Sequence, residues 1–416
     1  MERGLFVQSP FSFFFVAMTL GAKIEYCLFL LVAALLPISW RYAVWGEVLL
    51  SLFVFVRCFV NKGKLKKPSL PATALMALFA CYAVSLLYTD NLQIGANTLV
   101  YKLSFLVLPL VFVFAEMNWF EKDRKRVVMY VFTYSLAAFV LVRWGIAVYN
   151  FFFESNSIYH FFAASFIPVH RGYLAMYVLL ALSFIYSERS VAKANWMKVA
   201  NAVSAFLVIS VILFTQSRAG MLMLALLVLA IWIEVTFLRK RFVVGTTFAL
   251  AALLFAGGLF AFLPDKYNRI TSTIQDAREG NVMGARAWTN KAAWQVIQDN
   301  PVWGVGIGDR VEQMGLRYEN MGKLKIRDRQ LNPHNQFLDN QMTVGVVGTL
   351  LYLFVLLIPI CFSKYRNWMS VSLVLIVAVS SLLESILERQ MGIVFFSFFM
   401  LLFTYGCNVD RSLHEV

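Results

Sequence analysis

Apolar runs of bilayer-spanning length recur along this chain, and they constrain its fold more than any other feature. Hydrophobic residues make up 60% of the sequence and charged residues 14%, a balance that water-soluble domains do not carry. Within lipid only helices and closed barrels satisfy every backbone N–H and C=O. The runs show no period-two alternation, which argues against a barrel. The expected fold is all-α: a polytopic integral membrane protein of about 12 transmembrane helices. The spans fall near residues 24–40, 42–60, 70–88, 95–115, 127–150, 168–187, 197–215, 219–238, 242–263, 340–362, 368–387 and 391–407. The Phe-rich segment Leu5–Leu20 lacks a small-residue cleavage site. It reads as interfacial or packed on the bundle, not as a signal peptide.

Lys and Arg set the expected orientation. One set of short loops carries Lys62, Lys64, Lys66 and Lys67, then Lys122, Arg124, Lys125 and Arg126, then Arg189, Lys193 and Lys198, then Arg239, Lys240 and Arg241, then Lys364 and Arg366. The alternate short loops hold only Arg218 and Arg389. The positive-inside rule puts the first set, and both termini, in the cytoplasm. Residues 1–262 then hold helices 1–9 with the N-terminal segment. Residues 263–339 form a large, mostly helical loop on the outer face, and 340–416 hold the last three helices and a cytoplasmic tail. Much of the net charge of +14 is this topology signal, so no nucleic-acid partner is inferred. The five cysteines all fall in spans, and no disulfide framework or metal-ligand spacing emerges. Neither metal nor cofactor is expected.

The polar residues that resist the bilayer crowd toward the outer face. Lys102 and Arg143 lie within spans four and five and Glu47 near the end of span two; such charges face protein or water-filled cavities, or snorkel to the interface. His170, Arg171 and Tyr173 open span six. A tight hairpin, Thr215-Gln216-Ser217-Arg218-Ala219-Gly220, leaves Arg218 in the first turn of span eight, where an arginine opposes the helix dipole. Gly284 through Gln298, which includes Arg286, has helical spacing, with Ala287, Asn290, Trp294 and Ile297 expected on one face. Gly304, Gly306 and Gly308 make a tight loop that is no nucleotide motif, since no strand precedes it and no Lys-Ser/Thr follows. Glu384, Glu388 and Arg389 mark the outer end of span eleven. Asn332-Pro333-His334-Asn335 precedes span ten. Asn332 reads as the N-cap, Pro333 as the first helical residue and His334 as a first-turn imidazole beside free N–H groups. An ordinary loop histidine is the plainer alternative. A basic cavity at the membrane surface suits an anion attached to a lipid, such as a lipid diphosphate. Tyr173, Trp288, Trp294 and Trp303 are available to stack on sugars.

Three blocks resemble the family of O-antigen ligases and polymerases. They are Thr215-Gln216-Ser217-Arg218-Ala219-Gly220; Gly284, Arg286 and Trp288 leading to Asn300-Pro301-Val302-Trp303-Gly304-Val305-Gly306; and Pro333-His334-Asn335 with Gly345 and Gly348. The resemblance implies an inverting, metal-independent, GT-C-like membrane glycosyltransferase of the bacterial inner membrane, with its active site on the periplasmic face. Its donor would be a glycan on undecaprenyl diphosphate, and a ligase would use a sugar hydroxyl of lipid A–core as acceptor. Arg218 and Arg286 would hold the diphosphate, with Arg171 beside them, and His334 would be the base. Glu384 or Glu388 remains an alternative base; Lys102, Arg143, His170, Tyr173, Asn335 and Arg389 are secondary candidates.

The same blocks fit an O-antigen polymerase or a protein O-oligosaccharyltransferase, because these share the donor. A transporter or flippase of lipid-linked glycan is the rival of another class. Internal repeats and broken helices would mark it, and neither is visible in the sequence.

Overall fold

The computed structural model describes residues 18–63, 65–117, 122–153, 170–190, 194–214, 218–247, 250 and 285–406. Most of Leu5–Leu20, most of the span near 242–263, residues 263–284 and the Thr215-Gln216-Ser217 hairpin lie outside them. The described residues are all-helical, with no strand among them. Seven helical stretches are long and apolar enough to cross a membrane, and two more apolar helices are shorter.

The bundle is built from α1 (Leu20–Leu35), α2 (Trp40–Val60), α3 (Leu70–Val84), α4 (Leu92–Lys102), α5 (Ser104–Phe114), α6 (Lys122–Phe153), α7 (Arg171–Glu188), α8 (Asn195–Phe214) and α9 (Arg218–Ile233). A helical cap follows: α10 (Ala285–Asp299), α11 (Arg310–Asn320) and α12 (Leu324–Asp328). The chain then completes the bundle with α13 (Gln336–Cys361), α14 (Trp368–Leu383) and α15 (Gln390–Thr404). The span expected near 95–115 is two helices, α4 and α5, joined at Leu103.

Sequence chemistry explains which helices sit inside. A helix apolar all round is buried all round. In α15, every residue from Met391 to Thr404 is buried, and α15 packs against α5, α14, α2, α3 and α4. Aromatic edges lock it: Phe399 meets Phe132 at 4.8 Å and Phe398 at 5.2 Å. At 16 and 15 residues, α14 and α15 are only about 22–24 Å long, short of a bilayer core of about 30 Å. Their connection, residues 384–389, is the floor loop, in which Ser385, Ile386 and Leu387 are buried.

The span expected at 368–387 ends instead at Leu383, where Glu384 caps α14 in an extended conformation. Hydropathy runs on through Ile386 and Leu387, but the chain spends that apolar stretch in the loop, where both are buried.

The cap has its own small core of Ala292, Ala293, Val296, Ile297, Met314, Tyr318 and Met342. The expected α10 face is corrected: Ile297 is buried, whereas Trp294 is 55% exposed. The buried stripe runs through Thr289, Ala292, Ala293 and Val296, because α13 and α11 approach from that side.

A broken helix, not visible in the sequence, fixes the cap to the bundle. Within α13, Gly345 has φ 66 and ψ −162 and interrupts the helix. The break frees two carbonyls and one N–H that the glycine loop satisfies: Val305 N donates to Met342 O at 2.8 Å, Gly306 N to Thr343 O at 3.0 Å, and Val302 O accepts from Val346 N at 3.1 Å. A Cβ on Gly345 would lie 1.9 Å from Val302 O. On the other side of the loop, Asp309 accepts from Asp90 N and Asn91 N at 2.8 and 2.9 Å. Thr89 Oγ1 accepts from Gly308 N at 3.0 Å. The Gly-x-Gly-x-Gly block is thus a docking device, close-packed backbone to backbone.

Glu47 is buried between α2 and α5, where Ser104 Oγ donates to it at 2.8 Å. Arg57 pairs with Glu25 at 2.8 Å, and Lys66 Nζ donates to Tyr405 Oη at 2.9 Å.

Candidate active site

His334 precedes the helix instead of opening it. The N-cap of α13 is Asn335, whose side chain accepts from Phe337 N and Leu338 N at 2.9 and 3.2 Å. Asn332, expected as the cap, accepts from His334 N at 3.0 Å and closes an Asx turn. Two Asx acceptors compete along this stretch, and the one nearer the helix takes the cap. His334 is left at φ 48, a left-handed conformation that a non-glycine residue holds only when its surroundings impose it.

That turn aims the imidazole at the floor loop. His334 Nδ1 lies 2.8 Å from Glu384 Oε2. The other oxygen of Glu384 accepts from Arg286 Nη2 at 3.2 Å. The Arg286 side chain is 54% exposed against 17% for Glu384, so the arginine is the solvent-facing partner of a largely buried carboxylate. The N-terminus of α7 closes a third side: a Cβ on Gly172 would lie 3.3 Å from Glu384 Cγ. His170, N-cap of α7, accepts from Gly172 N through Nδ1 at 3.4 Å.

Electrostatics keep Glu384 ionised. Burial raises its carboxyl, but the hydrogen bond from His334, with His170 and Arg286, holds it below the ordinary range. At His170, desolvation pushes the imidazole down and the Glu384 charge pulls the other way. Burial likewise opposes ionisation of Glu388, and Arg310, Asn332 and Lys102 overcome it. Both carboxylates are depressed, so their contribution is complete above the ordinary value of 4.5 and lost as pH falls below it. Thermal melting against pH should show Tm falling below about pH 4.5, with a shallower fall for Glu388→Gln. Equal slopes for the two proteins would refute this assignment.

Several candidates are held by neighbouring groups. Glu388 pairs with Arg310 at 2.8 Å and accepts from the Asn332 side-chain amide. Lys102 is 3% exposed, donates to Leu387 O and lies 4.8 Å from the Tyr82 ring. Its ammonium ties α4 to the floor loop. Gln336 Oε1 clamps the same residue, accepting from Leu387 N at 2.6 Å. Tyr173 is buried, with its hydroxyl on Ser385 O at 3.4 Å, so it offers no stacking face. Trp288 lies under Lys323 at 4.2 Å, whereas Trp294 and Trp303 are exposed. Arg143 stays on α6, 5.3 Å from the Phe139 ring. Asn335 is the cap already described. Arg171 opens α7, and exposed Arg389 precedes α15. Arg218 starts α9, with its side chain outside the described residues.

Arg310 and Asp339, 2.6 Å apart, were missed. Arg310 carries the same signal that singled out Arg218, a cation opening a helix against its dipole, and was readable on that ground. Asp339 was not, because it stands one residue outside the expected span.

Fold and site together define a polytopic, all-helical membrane protein in which a His–carboxylate pair and an arginine meet beneath a helical cap. A family model described as O-antigen ligase matches residues 203–353, so this stretch of the chain is similar to that family. The matched stretch runs from α8 through the cap to α13 and includes Arg218, Arg286 and His334. No curated protein matches the chain.

Proposed function

We propose that the chain is an O-antigen ligase. It transfers a glycan from undecaprenyl diphosphate to a sugar hydroxyl of lipid A–core on the periplasmic face of the bacterial inner membrane, with inversion and without a metal. The observation that carries this reading is the 2.8 Å contact between His334 Nδ1 and Glu384, with Arg286 on the same carboxylate.

The pair accounts for the proton. Glu384 accepts Nδ1–H, so Nε2 is the ring's acceptor nitrogen. Nε2 takes the proton from the acceptor hydroxyl as its oxygen attacks the anomeric carbon, and Glu384 steadies the imidazolium that forms. The carbon–oxygen bond to the diphosphate breaks on the opposite face, and the bonding pair leaves with the lipid diphosphate. Arg286, with Arg218 and Arg171, stabilises that growing charge. Guanidinium forks suit phosphate oxygens and keep their charge at any relevant pH.

The break in α13 does not favour a transporter. A discontinuous transport helix lines a cavity, whereas this break is closed by the backbone of residues 302–306.

The test is purified protein in EDTA, supplied with undecaprenyl diphosphate-linked glycan and either lipid A–core or a second donor molecule. Glycan on lipid A–core is the expected product. Lengthened donor would make the chain a polymerase. Transfer to neither acceptor, with donor crossing the bilayer of proteoliposomes, would make it a flippase. Activity restored by magnesium would overturn the metal-independent mechanism.

A further inference from the structure

The strained turn that carries His334 is tied by side chains to a buried arginine of the cap. Arg310 is the first residue of α11, a position where a cation opposes the helix dipole. Its neighbour Asp309 makes no capping bond to α11 and instead holds the backbone of Asp90 and Asn91. Tertiary contacts therefore set the start of α11. They present a guanidinium, 12% exposed, to two carboxylates on different elements: Asp339 of α13 at 2.6 Å and Glu388 of the floor loop at 2.8 Å. The second oxygen of Glu388 accepts from Asn332 Nδ2, and Asn332 Oδ1 accepts from His334 N at 3.0 Å.

We propose that Arg310 is a positioning residue for the transfer: by holding Glu388 it sets both the Asn332 turn that aims His334 and the loop that presents Glu384. This rests on His334 being the base. The planar fork matters because one nitrogen anchors to α13 while the other holds the loop; an ammonium is a single point and cannot fix both directions. Cap docking is in this way transmitted to the imidazole without Arg310 touching substrate.

The experiment is a double-mutant cycle on the purified full-length protein in lipid nanodiscs. It uses Arg310→Lys, Asn332→Ala and both together, with undecaprenyl diphosphate-linked glycan and lipid A–core as probes and monodisperse protein as the reference for every rate. Each single variant is expected to lose kcat by up to about 10²-fold, the scale for a misplaced catalytic group, with donor KM unchanged. The double variant should lose no more than the worse single one, because both act along one path. Losses that multiply, or a raised donor KM at unchanged kcat, would overturn the proposal. Should Arg310→Lys not give monodisperse protein, Glu388→Gln takes its place in the cycle with the same expected non-additivity. A His334→Ala arm separates the two levels. If it is inactive while the cycle is additive, only the positioning role fails. If it still transfers, the assignment of the base fails and the positioning role with it.

Discussion

Replacing His334 with alanine is expected to lower transfer by roughly 10²–10⁴-fold, the usual contribution of a general base, while donor binding and folding stay intact. The expectation follows from position. The ring reaches Glu384 at 2.8 Å, whereas the bonds that hold the turn come from the backbone N–H of His334 and the Asn332 side chain. Alanine at this position keeps the N–H. Glutamine keeps a polar group but cannot take a proton, so His334→Gln should be equally inactive. Donor binding measured beside turnover separates the roles. Transfer at a tenth of the wild-type rate would exclude His334 as the base and leave Glu384 to be tested directly. Loss of binding together with transfer would make it a phosphate ligand.

Gly345→Ala is expected to be the most damaging change outside the site. The backbone there, φ 66 and ψ −162, is a region that only glycine occupies readily, with strain of about 1–3 kcal/mol for other residues. The added methyl would meet Val302 O at 1.9 Å and Val302 C at 2.5 Å. These are backbone atoms that cannot rotate away, so overpacking adds about 1–3 kcal/mol. The loop 302–306 must leave the break, and the carbonyls of Met342 and Thr343 lose their donors. Gly322→Ala supplies the control. Gly322 has φ 68 but nothing within 4 Å of its would-be Cβ, so it carries backbone strain alone. Melting of purified protein should show a clearly larger loss of Tm for Gly345→Ala than for Gly322→Ala. Equal losses would mean that the close approach to Val302 does not matter.

The sequence by itself determined the class of the protein. Hydropathy is a property of each local run, so α2, α3, α6 and α13 were legible within a few residues. Motif chemistry is also local: Arg286 and His334 were singled out as residue types in unusual places, and the structure brings both to one carboxylate. What only the tertiary structure decided is which distant group each of them meets. Glu384 and Glu388 look equivalent in sequence, four residues apart. One faces His334, and the other is consumed by Arg310 and Asn332. Lys102, a secondary candidate by sequence, donates to Leu387 O. The start of α13 moved from Asn332 to Asn335, and the break at Gly345 appeared only where Val302 approaches. The physical reason is common to all of these. Burying a polar group demands a partner. Here each partner lies on another element, 50 to 285 residues away for the His334–Glu384 and Lys102–Leu387 contacts, where no local pattern records it.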